Sequence, residues 1–543
     1  MINLETNIKK MTEKEKNEYI IALQNNVKTL ETSNKSLTSD NAELEQEVTL
    51  LKEQIKILKQ RIFGAKTEKN ISPEIEQLTF EMNEVEAIAD TSANEEPKEE
   101  TITYTRKKQT GKRTKDLEGL PVEIVTKTLS EEELKKAFPE EEYTKLPDYV
   151  YKKLEMIPAK FYVRETRVEV YKGKKSGKII KANREIEMID NSVATPSLVA
   201  ALVNAKYVNA MPLYRQEQTY KSFGMNISRQ NMAHWIIKVS KEYIKLIYEE
   251  LHKRIKEENV IQADETPVKI SKDGRIGSNK SYIWVYRTTE YEKERPIILY
   301  DYSLTRGAIN PLNYLEGYKG TIECDGFSVY ETLENNVEGI SVANCWAHAR
   351  RPFAEIVKSL EANGKTRGTT AKKAIELIAK IYRTDNNLKI LSAEERYNHR
   401  QTEVKPLVEV YFAWLKEIED TLPAGSAIGK AVQYSLNREK GLKKFLEDGN
   451  IPIDNSSSER SIKPVVIGRK NWIMIDTESG AEASVMIYSL VETAKANGLN
   501  TYEYIKYLLT EMPKHIYDTN KDYVLNLLPW SDKLPKELKI HNN

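Results

Sequence analysis

The chain has 543 residues and a formal net charge of +1, with 40% hydrophobic and 30% charged residues. This length predicts about three or four domains, and the composition excludes a fully disordered chain. Two cysteines, Cys324 and Cys345, are too few for a disulfide framework or a four-thiolate zinc site.

The N-terminal sequence and the apolar segments indicate where the protein resides. The first residues lack the apolar stretch of a signal peptide. The longest apolar segment, around Leu198–Ala205, is far shorter than the ~20 residues of a membrane span. We therefore expect a cytoplasmic protein with no membrane partner.

A leucine repeat occupies the N-terminal region. Leu23, Leu30, Leu37, Leu44, Leu51 and Leu58 recur every seven residues, each followed four residues later by Val27, Asn34, Asn41, Val48, Ile55 and Ile62. This a/d pattern predicts a parallel two-stranded coiled coil, in which the asparagines fix the register, and hence a homodimer through residues 20–63. The alternative is one amphipathic helix packed on its own domain.

Charge is segregated after this repeat. Residues 81–100 contain eight acids against one lysine, which is typical of a solvated linker. A basic run without acids follows at Arg106, Lys107, Lys108, Lys112, Arg113 and Lys115. This run is either an arm that contacts phosphates or a solvated tail.

Residues 148–171 alternate and are rich in β-branched and aromatic side chains, with turn signals at Gly173 and Gly177, which predicts a small β unit. Helical patterns then cover 196–208, 212–222 and 230–240, with Gly224 in a turn and Ser228 as an N-cap. This order favours a helix-turn-helix, although any helical hairpin has a similar pattern. Its second helix would present Arg229, Gln230, Asn231 and His234 to DNA bases.

Five predicted strands follow, at 259–270, 281–288, 295–302, 320–324 and 339–345, before a helix from about His348. Three hairpin-connected strands followed by strand–helix–strand–helix is the connectivity of a ribonuclease-H-like core. Asp264 on the first strand and Asp325 at the end of the fourth are expected to lie side by side. Glu265 should point to the opposite face of its strand, in a structural or peripheral role.

A third acid follows a helical insertion between Arg367 and Gly449. Asn455 and the serines after it are expected to cap a helix that carries Glu459. Clustered carboxylates suit Mg²⁺, and two such ions can activate a nucleophile and assist the leaving oxygen of a phosphodiester.

Basic and aromatic residues near these acids are candidate DNA contacts. Arginine forks suit phosphates, and an aromatic side chain can stack on a base. The candidate DNA contacts are His348, Arg350, Arg351, Arg460, Lys463, Arg469, Lys470 and Trp472. The alternatives are a capped helix with structural arginines and, for Trp472, a place in the core.

Several motifs in order resemble the insertion sequence 66 family of bacterial DDE transposases, over essentially the full length. They are the leucine repeat with Arg61–Gly64, Tyr207–Glu217, Asp264–Thr266, Cys324–Gly326, Cys345–Arg351, Asn455–Trp472, and the tail from Tyr488 through Gly498 and Leu499 to Leu528–Trp530. The resemblance implies that Asp264, Asp325 and Glu459 are the D, D and E residues. It also implies DNA cleavage and strand transfer with Mg²⁺ or Mn²⁺, by a protein associated with the bacterial nucleoid.

One segment departs from the family pattern. Relatives usually carry a cysteine-rich zinc-binding segment before the helix-turn-helix, whereas residues 154–175 contain no cysteine, so we expect no zinc there. Two other functions stay open: a nuclease of the same fold without strand transfer, and a dimeric DNA-binding regulator with an inactive core. Element ends and target DNA are the expected partners, with higher assembly on DNA and element-encoded helper proteins as further possibilities.

The sequence thus predicts an α/β multidomain protein. Its predicted units are a coiled-coil helix (15–65), a charged linker with the basic arm (66–117), a small β unit (118–190), a helix-turn-helix region (191–245), the first part of the catalytic core (255–365), a helical insertion (366–450), the end of the core with the third acid (451–482) and a C-terminal helical extension (483–543).

Overall fold

The computed structural model describes residues 161–172, 174, 179–182, 186–272, 274–275, 280–361, 369–423 and 425–540, together with residues 12, 27–28, 130 and 132. The predicted charged linker, nearly all of the coiled coil and most of residues 118–160 lie outside the described residues.

The described region begins with two short strands and a group of helices. Strands β1 (Val170–Lys172) and β2 (Ile179–Lys181) pair antiparallel. Helix α1 (Pro196–Val203) continues into a wider π-helical turn, Asn204–Val208, and is followed by α2 (Leu213–Ser222).

Helix α3 (Arg229–Val239) begins where the sequence predicts, because the Ser228 hydroxyl accepts a hydrogen bond from the Asn231 N–H at 3.3 Å. It continues through a π-helical turn, Ser240–Ile244, into α4 (Lys245–Ile255). The apolar sides of α3 and α4 pack into the core that also contains the main sheet.

A mixed sheet forms the centre of the molecule. Its strands are β3 (Val260–Lys272), β4 (Lys280–Thr288), β5 (Ile298–Ser303), β6 (Gly320–Cys324) and β7 (Ile340–Asn344), in the spatial order β5-β4-β3-β6-β7. β3, β4 and β5 are antiparallel neighbours, whereas β6 and β7 run parallel to β3. The predicted α/β class is confirmed.

Helices connect and follow these strands. They are α5 (Ile309–Tyr314), α6 (Ser328–Asn336) and α7 (Trp346–Glu361). A helical segment then contains α8 (Thr370–Asn387), α9 (Ala393–His399), α10 (Lys405–Glu419), α11 (Ala427–Asn437) and α12 (Glu439–Lys443), with a π-helical turn at Arg400–Val404 and a 3₁₀ turn at Lys444–Leu446. It has an apolar core of its own, into which Trp346 of α7 inserts.

The chain then returns to the sheet. Helix α13 (Ser456–Trp472) packs on β3 and β4, and β8 (Ile475–Thr477) pairs with the far end of β3. Helices α14 (Glu478–Ala496) and α15 (Thr501–Glu511) follow, and 3₁₀ turns at Met512–His515, Asp522–Leu527 and Lys536–Leu538 end the described chain.

Helix α14 covers the outer edge of the sheet. The Ser489 hydroxyl accepts a bond from the Tyr300 N–H at 2.8 Å, and the Thr493 hydroxyl bonds both the N–H and the carbonyl of Ile298 on β5. An uncovered edge strand can pair with other chains, and this helix covers the backbone groups of β5 that would do so. The predicted boundary between core and C-terminal extension, at 482/483, falls inside α14.

Two further features of the described residues bear on the expectations above. Cys324 and Cys345 are both buried and free. Within the described ranges, no helix combines the length and the apolar composition needed to cross a membrane.

Candidate active site

Asp264 and Asp325 come from neighbouring parallel strands. β3 and β6 are in register from Val260 opposite Thr321 to Gln262 opposite Glu323, and each aspartate comes two residues after this last pair. Asp264 continues β3, and Asp325 is the first residue after β6. The parallel register therefore brings two acids that are distant in sequence to the same end of the sheet.

The third acid is brought there by the turn before α13. The Asn455 amide Nδ2 donates to the carbonyl of Ala263 at 2.9 Å, and the Gln262 amide donates to the carbonyl of Asp454 at 3.2 Å. These two bonds attach the start of α13 to the part of β3 that precedes Asp264. Glu459 lies in the first turn of that helix, and only 10% of its side chain is exposed.

The role of Asn455 differs from the sequence prediction. It occupies the N-cap position, but its side chain makes no cap hydrogen bond, because its amide is used on β3 instead. Its backbone carbonyl accepts from Ser458 and Glu459 in the usual helical pattern. The predicted helix is present, but the side-chain cap predicted at Asn455 is wrong.

Burial and the surrounding negative charges affect Asp264 most strongly. The pKa of Asp264 is raised well above its ordinary value, mainly by burial and then by the negative charges of Glu265, Asp325 and Glu459. A hydrogen bond from the Glu265 N–H to Asp264 Oδ1, 2.8 Å long, partly offsets this effect. A nearby cation would relieve the same repulsion.

Glu265 has its own partners. Its side chain is 2% exposed, and it accepts bonds from the Arg306 guanidinium and from the Tyr330 hydroxyl at 2.9 Å. Burial and then the charge of Asp325 raise the pKa of Glu265, while Arg306 and Tyr330 lower it. Arg306 also lies over the Phe327 ring at 3.7 Å. These contacts hold Glu265 in a buried network beside the aspartates, and the structural or peripheral role expected for it stays a prediction.

Two predicted residues of α7 contact the third acid. Arg351 Nη2 is 3.3 Å and His348 Nε2 is 3.4 Å from Oε1 of Glu459. Burial, followed by the charge of Arg351, lowers the pKa of His348 to about 4, so this imidazole is neutral at pH 7. Arg351 therefore supplies the positive charge beside Glu459.

The loop that carries Asp325 is held from both sides. The Phe327 N–H donates to Asp325 Oδ1 at 2.8 Å, and the Asn344 amide donates to the Asp325 carbonyl at 3.2 Å. From the helical segment, Arg438 Nη2 donates to the carbonyl of Gly326 at 2.6 Å. A Cβ on Gly326 would clash with the Arg438 guanidinium, so glycine permits this close approach. No sequence pattern pointed to Arg438.

The donor set matches the chemistry of a hard divalent cation, since it consists of carboxylate oxygens. The three acids do not form a closed cluster: in the part of the chain that the structure describes, no group of three or more His, Cys, Asp or Glu side chains is positioned to hold a metal ion. Glu459 is instead engaged by Arg351 and His348. The residues thus fit Mg²⁺ or Mn²⁺ in kind, and the Glu459 side chain has to turn to join the two aspartates.

The other predicted DNA contacts differ in exposure. Arg229, Gln230 and Asn231 are exposed at the start of α3, and Arg460 and Lys470 are exposed on α13. Arg350 and Lys463 are half-buried.

Arg469 and Trp472 are engaged within the protein. Arg469 is half-buried and donates to the backbone carbonyl of Pro267, which joins α13 to β3. The Trp472 ring is half-buried, lines a small cavity behind α13, and has the Lys206 ammonium 5.4 Å from its centre.

Comparison with known proteins identifies the family. Residues 191–483 match the Transposase IS66 family, residues 489–530 match the IS66 C-terminal element, and residues 50–125 match a segment described as Transposase C of IS166 homeodomain. Two relatives are uncharacterized proteins of Sinorhizobium fredii. y4qI is 28% identical over 391 residues, which cover 70% of each chain. y4hP is 25% identical over 402 residues, which cover 72% of each. Because residues 191–483 are more than half of the chain, this protein belongs to the IS66 transposase family.

Proposed function

We propose that this transposase binds the ends of its insertion sequence and carries out metal-dependent DNA cleavage and strand transfer with Asp264, Asp325 and Glu459. The observations that carry the proposal are the parallel register of β3 and β6, at whose shared end Asp264 and Asp325 lie, and the hydrogen bond from Asn455 to Ala263, which attaches the start of α13 beside Asp264. A buried carboxylate with a raised pKa, such as Asp264, is typical of functional sites.

The sheet supports a ribonuclease-H-like core. Three antiparallel strands with two parallel strands added beside β3, in the order β5-β4-β3-β6-β7, match the connectivity expected from the sequence. The helices between β7 and α13 have a separate apolar core, which supports a helical insertion between the second and third acids.

Each aspartate is oriented by one backbone bond. The Glu265 N–H fixes Oδ1 of Asp264, and the Phe327 N–H fixes Oδ1 of Asp325. Each bond holds one carboxylate oxygen and so fixes the orientation of the whole carboxylate. Asp264, Asp325 and Glu459 would hold a pair of Mg²⁺ or Mn²⁺ ions, which would supply activation of the attacking oxygen and neutralisation of the leaving oxygen. In this proposal Arg351, which lies 3.3 Å from Glu459, holds the phosphate of the cut strand.

Two surfaces support DNA binding. The exposed Arg229, Gln230 and Asn231 at the start of α3 fit a helix that reads base edges, with α2 and α3 as a helix-turn-helix. On α13, Arg460 and Lys470 are exposed, and Glu459 is the only acid of the helix. This surface fits the DNA backbone.

The remaining partners stay predictions. They are a homodimer through the N-terminal leucine repeat, higher assembly on DNA and helper proteins encoded by the element. A cytoplasmic, nucleoid-associated location follows from DNA as the substrate.

The test uses purified protein, duplexes that carry the element ends, Mg²⁺ and a target plasmid, with products mapped to the nucleotide. We expect cleavage and strand transfer by wild type, and DNA binding without either reaction by Asp264→Ala, Asp325→Ala and Glu459→Ala. Glu478→Ala is the matched control, because Glu478 is an exposed acid close in sequence to Glu459. Strand transfer by Asp264→Ala would overturn the assignment. Cutting of uncut ends without joining of precut ends would identify a nuclease, and binding without any cutting by wild type would identify a regulator.

A further inference from the structure

The backbone at the end of α13 is strained at one exposed residue. Ile473 has φ 62° and ψ −50°, and the Met474 N–H donates to the Trp472 carbonyl at 2.6 Å. This is a γ-turn with its central residue at positive φ, a rare and strained form. Positive φ is especially unfavourable for a β-branched side chain such as isoleucine. Strain of this kind is concentrated at functional sites, where the surrounding structure maintains it.

The turn presents an apolar side chain to solvent. Ile473 is 68% exposed, and Met474 beside it is 43% exposed. The neighbouring Trp472 is half-buried and lies against the Lys206 ammonium instead. The residue at the tip of the strained turn is therefore Ile473, and not Trp472, for which the sequence leaves open base stacking or a place in the core.

A cationic stripe leads to this tip. Arg460, Lys463, Ile467 and Lys470 recur at spacings of three, four and three along α13, so they share one face of the helix. Arg460 and Lys470 are exposed, and Ile467 is 50% exposed. We call these four residues the α13 stripe.

The charges around the tip favour DNA as its partner. The exposed Lys269 lines the same small cavity as Ile473, and the nearest exposed acid in sequence, Asp476, is bonded to Lys272 at 2.9 Å. Proteins that insert an apolar side chain between base pairs have this arrangement, in which the surrounding cations contact the phosphates. A second copy of the same surface would bring like charges together, which is unfavourable.

We propose that Ile473 inserts between two base pairs of the bound duplex and unstacks them while the α13 stripe holds the backbone. The proposal rests on the proposed function, because it takes the substrate to be DNA beside Glu459. At ~1.5 Å per residue, the helix places Ile473 roughly 21 Å from Glu459, which corresponds to about six base pairs from the reacting phosphate.

The test places the fluorescent base 2-aminopurine at successive positions of an element-end duplex and measures its emission with the full-length protein. Unstacking increases this emission. Wild type is expected to produce a several-fold increase at one step, about six base pairs from the cleavage site. Asp264→Ala is expected to retain the increase, because distortion does not require catalysis.

The key variant is Ile473→Gly, which removes the wedge and is compatible with positive φ. We expect it to abolish the increase, to bind the duplex with the same salt dependence as wild type, and to have a higher melting temperature because the strain is relieved. Ile390→Ala is the control: it removes an exposed isoleucine that lies between α8 and α9, outside the α13 stripe, and should keep the increase.

Each contrary result is distinct. An undiminished increase with Ile473→Gly, or a lower melting temperature for that variant, overturns the proposal. A change in the mass of the DNA-free protein on Ile473→Gly, measured by light scattering, assigns the tip to a contact between copies and also overturns it. Failure of wild type to bind the duplex at all is a failure of the proposed function instead.

Discussion

Replacing Asn455 with alanine tests how the third acid is placed. Its amide is buried and donates to the Ala263 carbonyl at 2.9 Å, immediately before Asp264. Asn455→Ala leaves that carbonyl without this partner, at a cost of about 1–3 kcal/mol in the free energy of unfolding. It also removes the bond that fixes the start of α13. A shift of about 1 Å in a catalytic group lowers a rate by roughly 100-fold.

The matched control is Ser435→Ala. The Ser435 hydroxyl is buried and is 3.0 Å from the Tyr411 hydroxyl, so the bond that it makes lies within the helical segment. Its loss should have a similar effect on stability, since it also breaks one buried hydrogen bond. Urea unfolding measures the stabilities, and single-turnover cleavage of an element end with saturating Mg²⁺ measures the rates.

We expect the two variants to have similar stabilities but very different rates. Asn455→Ala should cleave about 100-fold more slowly than wild type, and Ser435→Ala should cleave at the wild-type rate. If Asn455→Ala is destabilised as expected yet cleaves as fast as wild type, the bond to Ala263 does not position Glu459.

Three further variants test the electrostatics. Asp264→Asn removes one of the repelling buried carboxylates, so the metal-free protein should melt at least about 2 °C higher, while Mg²⁺ should raise the melting temperature of wild type only; a lower melting temperature for the variant would contradict the repulsion. Asp301 lies near the buried side chains of Tyr248, Tyr286 and Tyr314, and burial raises the pKa of Asp301 to about 7. Stability should therefore be lost as pH rises from about 4 through about 7, by at most roughly 4 kcal/mol, and urea unfolding of Asp301→Asn should show a flatter profile; equal slopes would contradict the burial. Lys470→Ala should reduce the salt slope of DNA binding by about one, measured by fluorescence anisotropy, and an unchanged slope would exclude a phosphate contact there.

Local patterns predicted the elements that carry the candidate site. Apolar runs located β3 and β6, whose ends carry Asp264 and Asp325. Ser228 predicted the start of α3 because an N-cap is a local interaction between a hydroxyl and a nearby N–H. The bounds of such elements depend on a few adjacent residues, so the sequence contains the necessary information.

Features that depend on distant partners were not predictable. Asn455 has the sequence context of a cap, but its amide bonds a strand that lies far away along the chain. Arg469 appeared as one more cation in a basic run, although it bonds the Pro267 carbonyl. A side chain with several possible partners is assigned only when the fold shows which of them is near.

The predicted boundary at 482/483 divides α14 for a similar reason. Ser489 and Thr493 are unremarkable in a helical pattern, yet their hydroxyls bond the backbone of β5. The positive φ after α13 falls on Ile473, a β-branched residue, and not on the glycine or asparagine that usually adopts it. The strained turn therefore had no sequence signal.

The most direct test is cleavage of the protein backbone by Fe²⁺ bound in place of Mg²⁺, with ascorbate and peroxide generating hydroxyl radicals at the metal. Radicals cut the chain only close to the ion, so the cut sites identify the segments around it without any requirement for DNA cleavage. We predict three cuts, near Asp264, Asp325 and Glu459, all suppressed by excess Mg²⁺ and by Asp264→Ala. Cuts near the two aspartates with none near Glu459, in the presence of element-end DNA, would contradict a site built from all three acids.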